Sequence, residues 1–349
     1  MDSKYEKMIN ELEAHWVEGI TKLFEEQGKE HKQKLIDKIG GKDPAKIYLS
    51  PSKASIIMNI GGVPQLQGMC HRAIFFASLG FAETNPMDPY TKRKLLAGSL
   101  MEQSEHDIEK LSGKYVASNE LFQYAIDDHT MILGEVDSIL EDDHQRQYVK
   151  ELKTAFGYMA TRNHIYGTKT ITPYPRWSAV LQIVIYIATL GLQYGVLKFI
   201  DGQNMKSQRM YIIELKNIEQ GGQIVDKIVV INGQEMSSIS MSAIMERLMR
   251  LATYIRERQL PPRECIREYS DEFAQRLYEA GSIAKSGYER HLKGEKSGDW
   301  QCRNCNHQDL CWMKDEIVQR KLEERIEIIN KEHEESDVIE TSGEVEALW

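Results

Sequence analysis

Two acid-bearing segments, Gly134-Glu135-Val136-Asp137 and Glu151-Leu152-Lys153, combine residue types that together could hold a divalent cation beside a phosphodiester. The run Met131 to Leu140 is β-prone, Glu141-Asp142-Asp143-His144 is turn-like, and a second β-prone run begins at Tyr148. A turn centred on His144 sets Asp137 opposite Glu151. Strand side chains alternate with period two, so Glu151 and Lys153 share a face that can also be Asp137's. Hard cations such as Mg²⁺ or Mn²⁺ take carboxylate oxygens and leave room for water and phosphate. A cation held this way acidifies bound water, and a lysine alongside steadies the attacking oxygen or the developing charge. An acid-x-Lys tripeptide by itself is equally at home as a solvated ion pair on a surface hairpin.

The surrounding order sharpens the reading. Upstream, Gly98-Ser99-Leu100-Met101-Glu102 is expected to open a helix. Downstream, Gln182 and Tyr186 stand four residues apart in an apolar helix and so point the same way. This order, helix acid, Gly-x-x-Asp, Glu-x-Lys, Gln-x-x-x-Tyr, resembles the RecB-like branch of the PD-(D/E)XK nucleases over about residues 95 to 217. Glu214-Leu215-Lys216 is a second Glu-x-Lys on a strand-like run. Glu151 and Lys153 are preferred because the Gln-x-x-x-Tyr helix must follow the catalytic strand in that family. For the upstream acid, Glu102 matches the family position and His106, one turn later, is the alternative.

A third constellation lies near the far end: Cys302, Cys305 and Cys311 give Cys-x2-Cys-x5-Cys, and Cys70 stands far upstream. One early cysteine with a late trio resembles the iron-sulfur nucleases of the same superfamily: the CRISPR-associated RecB-like exonucleases, AddB and their bacteriophage relatives. Four thiolates can hold zinc or a four-iron four-sulfur cluster, and spacing does not choose between them. The resemblance implies the 4Fe-4S cluster on Cys70, Cys302, Cys305 and Cys311; His307 is an alternative fourth ligand in a zinc reading. Cys265 fits neither set and is read as a buried structural thiol. Arg72, beside Cys70, is read as covering the cluster, contacting phosphate or pairing at the surface. Linking Cys70 to Cys302 closes a very long loop, so the group is expected to act as a structural staple.

What the resemblance implies for the whole chain is an α/β fold. Its core would be PD-(D/E)XK restriction-endonuclease-like, a mixed central sheet flanked by helices, with helical additions and a four-cysteine iron-sulfur staple. Asp137, Glu151 and Glu102 would hold Mg²⁺ or Mn²⁺ with the Leu152 carbonyl. Lys153 would position water, and Gln182 and Tyr186 would steady the site or the strand. The implied activity is deoxyribonuclease, favouring single-stranded DNA or DNA ends. The alternatives are a non-catalytic DNA-binding or assembly protein and a zinc-stapled RNA nuclease.

Composition bounds these readings. The formal net charge is −9, unpromising for a polyanion binder. Yet residues 330–349 carry seven acids and one lysine, and read as a disordered acidic tail that could recruit a protein partner. Between Leu152 and Ile200 there is no Asp or Glu, where the overall frequency would give about seven. That stretch holds Lys153, Arg162, Lys169, Arg176 and Lys198 among Phe156, Tyr158, Tyr166, Tyr174 and Trp177. Cations that track phosphate and aromatic faces that stack on bases suit a single strand. Equally, the aromatics could be core packing. Five cysteines, three of them clustered, fit a reducing interior. No signal-peptide pattern is read at the polar N-terminus, and the apolar run Ala179 to Leu192 is too short to span a bilayer. A soluble cytoplasmic protein of a bacterium or phage-infected cell is expected.

The organisation expected is a helical segment over 1–47, with Met8, Leu12, Trp16, Ile20 and Leu23 as a packing face. A helical region over 48–95 carries Cys70, and the nuclease core covers 96–235, with strands at 195–200, 210–215 and 224–231. Helices follow in 236–295, near 238–258 and 264–292. A cluster-binding segment occupies 296–320, and a helix end with the acidic tail occupies 321–349.

Overall fold

The computed structural model describes residues 3–41, 43, 45–60, 62–168 and 172–342. In chain order it begins with α1 (Ser3–Lys38), β1 (Ile47–Leu49), a 3-10 turn over Pro51–Lys53, β2 (Ser55–Ile60) and β3 (Val63–Gly68). Next come α2 (His71–Ser78), α3 (Pro89–Leu111), β4 (Tyr115–Asp127), β5 (Thr130–Glu141) and β6 (Gln147–Ala155). A short α4 (Tyr158–Thr161) runs into a π-turn over Arg162–Tyr166. It is followed by α5 (Trp177–Leu190), β7 (Tyr194–Asp201), β8 (Gln208–Gln220), β9 (Gln223–Ile231) and β10 (Gln234–Ser240). The remainder is helical: α6 (Met241–Arg256), α7 (Asp271–Glu279), α8 (Lys285–Leu292), α9 (Trp300–Arg303), α10 (Gln308–Cys311) and α11 (Asp315–Ser342).

The chain forms two compact units. One comprises 1–69 and 87–249, the other 70–86 and 250–349. In the first, an eight-stranded sheet runs β1-β5-β6-β7-β8-β9-β10, with β4 pairing along β5. The pairing is mixed: β5 with β6 is antiparallel, β6 with β7 parallel, and β7 with β8 antiparallel. A parallel β6–β7 pair needs a crossover, and α5 supplies it. Eight of that helix's fourteen residues, from Ala179 to Ile187, are buried, which explains its nearly all-apolar sequence. The mixed sheet flanked by helices is the α/β architecture expected.

The hairpin follows the sequence expectation. Observed pairs Ser138↔Lys150, Ile139↔Val149 and Leu140↔Tyr148 define a register that, one step further, sets Asp137 across from Glu151. The strands read at 195–200, 210–215 and 224–231 are β7, β8 and β9.

Other expectations are corrected. The 48–95 region is not helical at its start, because Ile56 and Met58 are buried while Ile57 between them is exposed, a period of two that makes a β2–β3 hairpin. Helix α3 opens nine residues before Gly98, at Pro89, with Asp88 accepting from the Thr91 N–H as its cap. The helix read near 264–292 is two, α7 and α8. Helix α1 is present, but Leu12, Trp16 and Leu23 are exposed and line or flank an open apolar groove with Pro89 and Tyr90, so they are not a packed face. The acid-rich segment expected to be disordered continues α11 as far as Ser342; Val318 and Leu322 anchor that helix, and the Glu- and Lys-rich sequence after them has good helix propensity. The rest of that segment, 343–349, lies outside the described residues. No helix among the described residues is long and apolar enough to cross a membrane.

Candidate active site

Strand β5 carries Asp137, β6 carries Glu151 and Lys153, α3 carries Glu102 and His106, and α5 carries Gln182 and Tyr186. A cavity of about 290 Å³ is lined by Glu102, Gly134, Glu135, Asp137, Gln182 and Tyr186, together with His31 and Leu35 of α1 and Ser50–Ser52. Gly134 is required there: a Cβ would stand 2.5 Å from the Phe122 ring and 2.9 Å from Pro51 Cδ.

The hydrogen bonds fix each group. Leu152 donates its backbone N–H to Asp137 Oδ2 at 2.8 Å. Lys153 Nζ pairs with Glu151 Oε1, so the two residues do share a face. Gln182 Nε2 donates to the Tyr186 hydroxyl at 2.9 Å, and that hydroxyl donates to the Glu135 carbonyl at 3.0 Å, tying α5 to β5. Helix α3 is locked onto the sheet through buried ion pairs: Lys150 with Glu105 and Glu109, and Lys198 with Glu105 at 2.5 Å.

The electrostatics are those of crowded carboxylates. Burial, then the neighbouring Asp137 charge, pushes Glu102 up to about 7 and Glu151 up to about 8. Asp137 is likewise raised by burial. Burial alone would lower Lys153, but the Glu151 and Asp137 carboxylates outweigh it and hold the ammonium above its usual range. Burial lowers His106, while Asp137 favours its charged form.

The donor chemistry of these residues suits a divalent cation, although their side chains are not gathered around one point. Buried polar atoms are ordinarily satisfied, yet Glu151 Oε2 and His106 Nε2 are buried without a hydrogen-bond partner. Three raised carboxylates crowd one another, and a cation would relieve their repulsion. As they stand, Glu151 and Asp137 are turned to Lys153 and the Leu152 N–H, and no three His, Cys, Asp or Glu side chains among the described residues are gathered so as to hold a metal ion. Leu152 meets the site through its N–H.

The competing Glu214-Leu215-Lys216 does not join this cavity. Both charged side chains are exposed on β8, and Lys216 pairs with Glu235 at 2.5 Å. Of the acid-free stretch, Lys198 is buried against Glu105 and is not a groove cation. Tyr158 is exposed with Arg162 over its ring at 5.7 Å, Tyr174 is exposed at the edge of His164, and Arg176 and Trp177 stand at the start of α5. Lys169 lies outside the described residues.

All five cysteines belong to the second unit, which the chain builds from two distant stretches. Cys265 is buried, as the sequence reading expected, and lies beside Cys70 and Cys302. Cys305 feels the charges of Cys70 and Cys302, and Cys311 those of Cys70 and Cys305. The buried Arg72 has an unpartnered Nε and favours ionisation of Cys311. Thiols beside a guanidinium have the donor chemistry of a thiolate-bound group, although no three of them are gathered to hold one among the described residues. His307 is buried, tilted against Phe76, and its Nδ1 has no partner.

No family model matches the chain, and no curated protein does. Among solved structures, one titled "Crystal structure of SSO0001" is similar at 14% identity over 73% of this chain and 93% of that one, with a TM-score of 0.35.

Proposed function

We propose that the chain is a metal-dependent nuclease of the RecB-like PD-(D/E)XK kind, hydrolysing DNA phosphodiesters, with single strands or ends as substrate. The observation that carries the reading is the convergence of Asp137, Glu102, Gln182 and Tyr186 on one cavity, with Glu151 and Lys153 across the strand pair from Asp137.

Asp137, Glu151 and Glu102 would hold Mg²⁺ or Mn²⁺, with His106 within the same electrostatic set. Such a cation, when bound, acidifies water and offsets charge on the phosphodiester. The chain's own residues do the rest. Lys153 remains charged beside Glu151 and places its ammonium where an attacking oxygen or developing phosphorane charge needs it. Gln182 and Tyr186 fix the β5 backbone at Glu135, two residues from Asp137, and so hold the carboxylate steady. Cys70, Cys302, Cys305 and Cys311 would hold a four-iron four-sulfur cluster that ties the two stretches of the second unit together.

The test is cleavage of end-labelled single-stranded DNA and RNA in Mn²⁺, Mg²⁺ or chelator, beside Asp137→Ala. Metal-dependent DNA cleavage lost in the variant is the expected result. Equal cleavage by the variant would refute the assignment. DNA binding without cleavage would leave a binding protein, and RNA-only cleavage would change the substrate.

A further inference from the structure

Helix α1 reaches the candidate cavity, where His31 and Leu35, one turn apart, both line it. The helix is pinned on either side of that turn. Before it, Lys92 Nζ of α3 pairs with Glu25 Oε1 at 3.5 Å. After it, Lys38 Nζ donates to the Asn119 carbonyl of β4 at 3.0 Å and stands 3.8 Å from Glu135 Oε2 of β5. All of these elements belong to the same compact unit.

The chemistry of the lining is one-sided. Its ionisable side chains are the carboxylates of Glu102, Glu135 and Asp137, the Tyr186 phenol and the His31 imidazole. Of these, only the imidazole can carry a positive charge. His31 is exposed on the helix, so its ring is within reach of a molecule entering the cavity. An imidazole presents at least one N–H whether it is neutral or charged, and can therefore donate to a phosphate oxygen in either state.

We propose that α1 forms a substrate-facing wall of this cavity and that His31 is a substrate-contacting residue, donating from its ring to a phosphate oxygen of the bound strand. This rests on the nuclease reading and deepens it, by assigning a strand contact to a helix whose apolar spacing alone points to packing. A contact to the backbone positions the strand without reading its bases, so it is independent of sequence. Lys38 keeps the wall in place and offsets the charge of Glu135, the carboxylate nearest to it.

The experiment uses the full chain with Ca²⁺ in every arm to suppress cleavage. Anisotropy of a labelled single-stranded oligonucleotide should show His31→Ala binding about tenfold more weakly, the cost of one hydrogen bond to a charged group. His31→Gln, which keeps an N–H donor, should recover most of that loss. His15→Ala, on the same helix but away from the cavity, should bind as the wild type does. A second measurement needs no variant: carbethoxylation of wild-type histidines by diethyl pyrocarbonate, read by peptide mass spectrometry. Saturating oligonucleotide should slow modification of His31 several-fold and leave His15 unchanged, and inorganic phosphate at the same concentration should protect neither. A strand that binds the wild type while His31 is modified at its free rate would overturn the proposal, as would unchanged affinity in folded His31→Ala. Equal protection of His31 by inorganic phosphate would overturn the strand as its occupant. A wild-type chain that binds no strand would instead overturn the nuclease reading itself.

Discussion

The backbone N–H of Leu152 reaches across from β6 to Asp137 Oδ2 at 2.8 Å, so the strand that carries Glu151 and Lys153 also orients the aspartate of its neighbour. A charge-assisted bond of this kind fixes one carboxylate oxygen and leaves the other for a different partner. Register and orientation therefore come from the same strand pair. Displacement of β6 would disturb all three chemical groups together.

Lys153 supplies the ammonium paired with Glu151 at the strand-borne acids. Lys153→Met is expected to lower the single-turnover cleavage rate by on the order of 10²–10³, the usual cost of removing one electrostatic stabiliser. Strand affinity should change much less, because the residue acts on charge that develops during reaction. Rapid-quench kinetics beside a binding titration separates the two, and an unchanged rate would remove Lys153 from the mechanism.

Metal binding should release protons. Glu102 and Glu151, raised to about 7 and about 8, are partly or largely protonated at pH 7 in the metal-free protein, and a cation needs them ionised. Mn²⁺ affinity should therefore weaken as pH falls from 8 to 6, by about tenfold per proton displaced per pH unit. Calorimetry at pH 7 in two buffers of different ionisation enthalpy reads the proton count. Identical heats in both buffers would refute the linkage.

The sequence made this much of the site legible because a hairpin is local chemistry. The β-prone runs and the turn near His144 set the register that pairs Ser138 with Lys150, and period two did the rest. The i, i+4 spacing of Gln182 and Tyr186 was similarly sufficient, since helix geometry alone makes them neighbours. Long-range placement was not legible. Nothing near Cys265 in sequence says that Glu264 bonds the His71 N–H or that Ile266 bonds Asp299. Nor does an amphipathic spacing say whether a partner exists, and Trp16 stands exposed on α1. Strand β4 went unread because its burial does not alternate cleanly.

Glu151→Gln should stabilise the metal-free protein at high pH while abolishing activity. The folded-state value of Glu151 lies above the ordinary glutamate range, so its contribution to stability is fully present below about pH 4.5 and is lost as pH rises through about 8. The glutamine, which cannot ionise, escapes that loss. Thermal unfolding in chelator should show the wild type falling between pH 5 and 9 more steeply than the variant, with a crossing in favour of the variant at the alkaline end. Added Mn²⁺ should favour the wild type alone. Parallel pH profiles would show that Glu151 is not held protonated by its burial.

Arg162 lies over the ring of the exposed Tyr158, within the stretch between Leu152 and Ile200 that has no acid. If this pair contacts a single strand, the two residues should fail differently. Tyr158→Ala should weaken binding by about 1–3 kcal/mol, the worth of a base–aromatic stack, with little change in salt dependence. Arg162→Ala should reduce the slope of log affinity against log salt by about 0.7, one phosphate contact on a single strand. Both are read by fluorescence anisotropy of a labelled oligonucleotide, with Ca²⁺ in place of Mn²⁺ to suppress cleavage. Wild-type affinity and slope in both variants would move the strand's path off this surface, toward Arg176 and Trp177 at the start of α5.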